Sequence, residues 1–161
     1  MTDIISALTM LSHTNCKERE TALKQFYEKW HNDPLVVDKW FAIQAQSKRK
    51  NTLHDVQLLM EHPAFNITNP NKVRSLIGAF AQNNLKEFHK INGDGYRFIA
   101  DQIIALNEIN PQIAARLLTP LIRWKKFDLQ RQELMKAELH RILSAQNLSK
   151  NVYEIASKAV D

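Results

Sequence analysis

The sequence predicts an all-α fold, built of antiparallel helical pairs stacked as a HEAT-like α-solenoid. Three observations carry that reading. Apolar residues recur every three to four positions along nearly the whole chain, and no segment alternates as a half-buried strand does. Three helix starts share one Asx-Pro chemistry, with the same apolar pattern behind each. Only three glycines and five prolines punctuate the 161 residues, too few turn residues for an all-β fold. At roughly 100–200 residues per domain, the chain reads as a single helical domain over residues 1–161.

Residues 4–11, IISALTML, open the chain as a largely apolar first helix. Residues 17–30 follow, with Ala22, Leu23, Phe26, Tyr27 and Trp30 on one side and Thr14 or Asn15 as the expected cap. Helices are then expected over 34–46, 51–62, 70–82, a short 84–90, 95–109, 111–125, 128–145 and 148–159. Asp33-Pro34, Asn69-Pro70 and Asn110-Pro111 each place a capping side chain before a proline. An Asx side chain there accepts an orphan backbone N–H, and proline at the first helical position loses no hydrogen bond. The third, sixth and seventh residues after each proline are apolar: Val37, Trp40 and Phe41; Val73, Leu76 and Ile77; Ala114, Leu117 and Leu118. That pattern reads as a degenerate repeat of a helical pair, the alternative being a common helix opening at coincidental spacing. Pro120 falls inside a helical pattern and is expected to kink it or end a turn.

Composition excludes several classes. With 44% hydrophobic and 24% charged residues, the chain has enough apolar content to collapse, so disorder is not expected. One cysteine rules out a disulfide framework or a cysteine-based zinc site. No apolar run approaches the ~18 residues of a membrane span, and the first residues lack the positive region of a secretory signal. A cytoplasmic location is expected, with no membrane partner. The net charge of +5 is spread evenly, with 10 basic and 8 acidic groups in residues 1–80. It reads as a soluble mixed surface, and no nucleic-acid partner is expected.

Catalytic chemistry is sparse. The metallopeptidase signature H-E-x-x-H is absent, and the six histidines are scattered. His54 and His62 lie eight residues apart, whereas a zinc pair on a helix needs a spacing of three or four. Cys16 is placed in the first turn of a helix with no histidine pinned to it, and reads as structural. Gly93 and Gly95 make a lone G-x-G with no strand before it, so no phosphate loop follows. Lys48-Arg49-Lys50 reads as a solvated loop between helices. Arg123-Trp124-Lys125-Lys126-Phe127 mixes base with aromatic, as a segment that stacks on nucleic acid does, but reads more readily as a helix end, its cations meeting the dipole and its aromatics packed inward. Gln112, Arg116, Thr119 and Arg123 recur at steps of four, three and four, which makes one polar ridge beside Leu117, Leu118 and Leu121. Such a ridge lines a concave surface or forms an exposed helix back. No catalytic residue and no metal ligand is assigned, and the residues alone describe a helical binding or structural module.

Three stretches go further: DPLVVDKWFAIQA (33–45), NPNKVRSLIGAFAQNN (69–84) and GDGYRFIADQIIALNEINPQIAARLLTPLIRWKKFDLQRQELMKAEL (93–139). They resemble the C-terminal end of the proteobacterial aminopeptidase N family, zinc-dependent alanyl aminopeptidases of the gluzincin group. The resemblance spans nearly all 161 residues. It implies the last half of the C-terminal domain of a larger multidomain protein, with Met1 an internal residue of it. It also implies zinc in the longer protein and none in this chain, since H-E-x-x-H, the downstream glutamate ligand and the G-A-M-E-N strand have no counterpart here. The expected partners are the catalytic domain of the same polypeptide and the peptide substrate.

By the same resemblance this region is a non-catalytic bowl of paired helices, which encloses the active-site cavity and controls peptide access. Arg74 and Arg116 match cavity-facing arginines by motif position and are expected to share one concave surface, with Gln112, Thr119 and Arg123 as the possible continuation of that ridge. The alternative is a free-standing helical-repeat module that binds protein or nucleic acid. The chain by itself is not expected to be an enzyme. Self-association is expected through residues 1–12, where Ile4, Ile5, Leu8 and Leu11 have no charged ridge to cap them.

Overall fold

The structure, a computed structural model, describes residues 1–161. Its regular elements are all helical: α1 (Thr2–Ser12), α2 (Lys17–Trp30), α3 (Pro34–Ala45), α4 (Thr52–Met60), α5 (Pro70–Val73), a π-helical segment (Arg74–Gly78), α6 (Ala79–Asn83), α7 (Leu85–Phe88), α8 (Asp94–Ile109), α9 (Pro111–Leu117), α10 (Thr119–Ile122), a 3₁₀ turn (Trp124–Lys126), α11 (Leu129–Leu143) and α12 (Lys150–Val160). No helix is long and apolar enough to cross a membrane. The chain divides into two compact units, Met1–Glu87 and Phe88–Asp161.

In the first unit, α3 is the hub. It packs against α1, α2, α4, the π segment and α6. Its sequence explains that position, because Val36, Val37, Trp40, Phe41, Ile43 and Ala45 are all buried and leave little polar face. Asp33 caps it, with Oδ1 accepting from the Leu35 and Val36 amides (3.1 and 3.3 Å). Its far end is closed by side chains rather than by a glycine cap. Asn84 Nδ2 donates to the carbonyls of Ala45 (3.0 Å) and Ser47 (2.8 Å), and Ser47 Oγ donates to Ser12 O (2.7 Å). Lys72 is buried, yet its Nζ reaches Asp38 Oδ1 (2.6 Å) and Pro34 O (3.1 Å). A buried charge needs that pairing.

The helix expected over 70–82 is present but contains the π segment, in which the Ala79 amide reaches the carbonyl of Arg74 five residues back. Leu76, Ile77, Ala79, Phe80 and Ala81 are all buried, while Arg74 stays exposed. The expected cap of α2 is not found. Thr14 Oγ1 donates to Leu11 O (2.8 Å), and Asn15 Oδ1 accepts from Arg49 (3.1 Å). The N-cap position belongs to Cys16, which therefore precedes the first turn instead of lying in it.

In the second unit, α8 packs on α9 and α11, and α12 packs on α9 and α11. Tyr96, Ile99, Ile103 and Leu106 on α8 meet complete burial, as do Met135, Leu139 and Ile142 on α11. The turn before α8 depends on two glycines. Gly93 has φ +75°, a left-handed conformation that favours glycine. A Cβ on Gly95 would collide with the Phe88 carbonyl, so the backbone there tolerates no side chain. Asn107 ties the α11–α12 loop to α8, donating to Asn147 O (3.0 Å) and accepting from the Ser149 amide (2.8 Å).

All nine apolar positions that follow the three Asx-Pro starts are buried. Asn69 Oδ1 accepts from the Asn71 amide (2.9 Å) and Asn110 Oδ1 from the Ile113 amide (3.2 Å). The three starts therefore use the expected chemistry.

Candidate functional site

The sequence-selected residues of the second unit gather on α9. Asn110 and Pro111 begin this helix, and its inner face, Ile113, Ala114 and Leu117, is buried. Gln112 and Arg116 are turned outward by the same periodicity and are exposed. Together with Asn151, Glu154 and Ile155 of α12 they line a cleft of ≈ 310 Å³.

The expected continuous ridge is split after Arg116. Pro120 has no N–H to give the carbonyl four residues back, which belongs to Arg116. Thr119 Oγ1 donates to that carbonyl instead, at 2.9 Å. The helix breaks at Leu118, α10 spans only Thr119–Ile122, and Arg123 lies beyond its end. Gln112 and Arg116 thus share the cleft, Thr119 braces the backbone of Arg116, and Arg123 is exposed past the break.

The electrostatics of the cleft are simple. Arg116 supplies one cation and Glu154 one carboxylate. Lys158 Nζ hydrogen-bonds Glu154 Oε1 (2.8 Å), and that bond, with the charge of Lys158, holds the carboxyl below its usual range. No nucleophile paired with a base lines the cleft. It can hold a polar group through the guanidinium.

Arg74 belongs to the first unit, at the start of the π segment. Its Nη2 donates to Asn71 Oδ1 (3.2 Å). A comparison among the arginines is informative. Arg19 and Arg49 face Asp55, Arg97 pairs with Asp94, Arg131 with Asp128, and Arg141 with Asp101 and Glu138. The three arginines outside such pairs are Arg74, Arg116 and Arg123, the same three that the sequence singled out.

The other candidates are structural in their contacts. Trp124 is buried and its Nε1 donates to Ala159 O (2.8 Å), with Lys136 Nζ 4.7 Å from the ring centroid. Phe127 stacks on His89 at 4.3 Å. His62 packs against Tyr27 (4.8 Å) and Trp40 (5.2 Å), and burial lowers its pKa. No group of three or more His, Cys, Asp or Glu side chains is arranged to hold a metal ion, so a zinc ion does not fit the residues of this chain.

Sequence reasoning missed Asn151 and Glu154. Their approach to α9 comes from the packing of α12, which no local spacing reports; the amphipathic run of 150–160 was the only available signal. The Lys48-Arg49-Lys50 segment, expected as a solvated loop, lines a cleft with Asn51, His13 and Asn15.

The comparisons fit this geometry. The chain is 51% identical over 160 residues to aminopeptidase N of Haemophilus influenzae, a match that covers 99% of this chain and 18% of that protein. It is 43% identical to aminopeptidase N of Escherichia coli, with the same shares covered. The matched part is the C-terminal region of these relatives. Among solved structures, aminopeptidase A of Legionella pneumophila in complex with aspartic acid superimposes with a TM-score of 0.95 at 40% identity, over 100% of this chain and 19% of that one. The chain therefore spans about a fifth of the length of the proteins it resembles. A profile of ARM repeats, described as a domain of unknown function, DUF3458_C, matches residues 1–161, and the chain belongs to that family.

Proposed function

We propose that residues 1–161 form the last half of the C-terminal helical domain of a zinc aminopeptidase. In the longer protein this region encloses the active-site cavity and controls which peptides enter. It performs no chemistry itself. The catalytic domain of the same polypeptide holds the zinc and removes N-terminal residues, in the cytoplasm. The observation that carries this reading is identity of 43–51% with aminopeptidase N along 99% of the chain.

Arg74 and Arg116 are the residues assigned to the peptide beyond its cleaved end. Arginine suits that task, since its planar fork grips a carboxylate or carbonyl and stays charged. Their lack of a carboxylate partner favours this role over a purely structural one, because an arginine that serves the fold is usually paired. A charge-assisted hydrogen bond contributes about 1.5–3 kcal/mol.

In the full-length protein, Arg74→Ala or Arg116→Ala should raise KM for short peptides with a free C-terminal carboxylate by roughly 10- to 150-fold. KM for a single-residue arylamide should change much less, and the melting temperature should hardly move. Variants that lose stability yet treat both substrates alike would make the arginines structural. The 161-residue chain alone should release nothing from arylamides with or without added zinc. Zinc-dependent release by a clean preparation would overturn the domain assignment.

A further inference from the structure

The loop Lys48–Asn51, between α3 and α4, meets the turn His13–Asn15 between α1 and α2. Six side chains, those of His13, Asn15, Lys48, Arg49, Lys50 and Asn51, line a cleft of ≈ 380 Å³ there. None is apolar and none is acidic. The two segments are fixed to each other: the Lys48 amide donates to His13 Nδ1 (3.3 Å), Arg49 Nη2 donates to Asn15 Oδ1 (3.1 Å), and Ser47 Oγ donates to Ser12 O (2.7 Å).

The charge at this place is lopsided. Arg19 and Arg49 both face Asp55, at 3.9 and 2.7 Å. Lys86 Nζ sits on the carbonyl of Lys48 (3.1 Å). Three cations, Lys48, Arg49 and Lys50, line the cleft and no carboxylate does; the nearby carboxylate, Asp55, pairs with Arg49. The excess is felt by its neighbours. Burial, and then the charge of Arg49, lowers the pKa of Arg19. Burial, and then the charge of Lys48, lowers that of His13. The Nε of Arg49 is buried with no acceptor. The helices that begin beside the cleft, α2 and α4, have no side-chain cap, so their dipoles add positive potential at the same place.

We propose that this cleft binds a small phosphate-bearing anion, such as the diphosphate group of a metabolite. Ammonium and guanidinium groups with asparagine amides give the charge-assisted donors that a multiply charged oxyanion needs. The volume is that of a small-molecule pocket. No Phe, Tyr or Trp side chain lines it and His13 is its one ring, so it lacks the row of stacking platforms of a single-stranded nucleic-acid groove. Neither Arg74 nor Arg116 lines it, and the proposal stands whether or not these act on peptides.

The test is titration of the 161-residue chain with inorganic pyrophosphate at physiological ionic strength. Binding is read by amide chemical shifts and calorimetry, with acetate and a single-stranded oligonucleotide as parallel arms. Saturable shifts confined to residues 13–16 and 48–54 are expected. Asn51→Asp puts a carboxylate into the cleft and caps α4, so it should preserve the fold while weakening pyrophosphate at least about tenfold. Lys48→Gln should weaken it by a smaller factor. Equal affinity in wild type and both variants, or shifts scattered over the surface, would overturn the proposal. So would equal binding of acetate, or tighter, length-dependent binding of the oligonucleotide.

Discussion

His89 shows how a single side chain can make the fold sensitive to pH. It stacks on Phe127, its Nδ1 lies 2.7 Å from Tyr96 Oη, and its carbonyl accepts from Arg131 Nε (2.8 Å). Burial, helped by the charge of Arg131, pushes its pKa down to about 4. Burial likewise raises Tyr96 to about 12. The phenol keeps its proton and the imidazole is neutral, so the two share one hydrogen bond whose donor is set by the imidazole tautomer. Folding lowers the histidine pKa below its unfolded value of about 6.5. Between these values the unfolded chain binds more protons, and stability falls as pH drops. The loss is of order 2 kcal/mol, discounted for partial solvent screening. His89→Phe removes this titration while retaining the ring stack. Its melting temperature should be lower near neutral pH, because Tyr96 loses its hydrogen-bond partner on His89. Between about pH 6.5 and 4.5 it should fall less steeply than in the wild type. Parallel pH profiles for the two proteins would refute the role.

At the scale of elements, the Asx-Pro starts and a failed cap give a matched comparison. Asp33, Asn69 and Asn110 each accept a backbone amide at a helix N-terminus. Replacing any of them by Ala should cost about 1 kcal/mol, read from denaturant midpoints. Asn15 was expected to cap α2 and does not, so Asn15→Ala should stay within about 0.5 kcal/mol. An equal loss at Asn15 would mean that the start of α2 is assigned wrongly. The contrast also marks what was legible in the sequence. Proline fixes one backbone angle and the residue before it offers one cap, so α3, α5 and α9 were readable locally. The π segment was not, because a five-residue backbone bond leaves no local residue pattern. The ridge from Gln112 to Arg123 was read as continuous although Pro120 lay within it. A kink at Pro120 is legible in the sequence, but that Thr119 takes up the Arg116 carbonyl and the ridge parts there is visible only in the fold. Arg74 and Arg116 were selected by motif position. That they lack carboxylate partners depends on distant residues and is visible only in the fold.

For the molecule as a whole, the question is what covers the first helix pair. Ile4, Ala7, Leu8 and Leu11 of α1 and Ala22, Phe26 and Trp30 of α2 line a cleft of ≈ 380 Å³, edged by Gln25 and Lys29. Ile4 is 46% exposed and Met10 71%. Ordinary monomers seldom leave a contiguous apolar patch uncovered, and a terminal repeat needs a polar outer face. Since the relatives carry about four fifths of their length elsewhere, the reading consistent with the proposed function is that preceding helices of the same polypeptide fill this cleft. The 161-residue chain alone should then bury it against a second copy. Covering a side chain such as Ile4 or Trp30 contributes about 1.5–3 kcal/mol, which makes a weak dimer dependent on concentration. Sedimentation equilibrium should show monomer and dimer exchanging as the concentration rises. Ile4→Asp should abolish the dimer without lowering the melting temperature of the monomer, because that side chain is largely outside the core. In the full-length protein the same substitution should instead destabilise the junction with the preceding helices. A chain that stays monomeric at high concentration would remove the case for self-association. A full-length protein indifferent to Ile4→Asp would show that nothing in the longer polypeptide rests on this cleft.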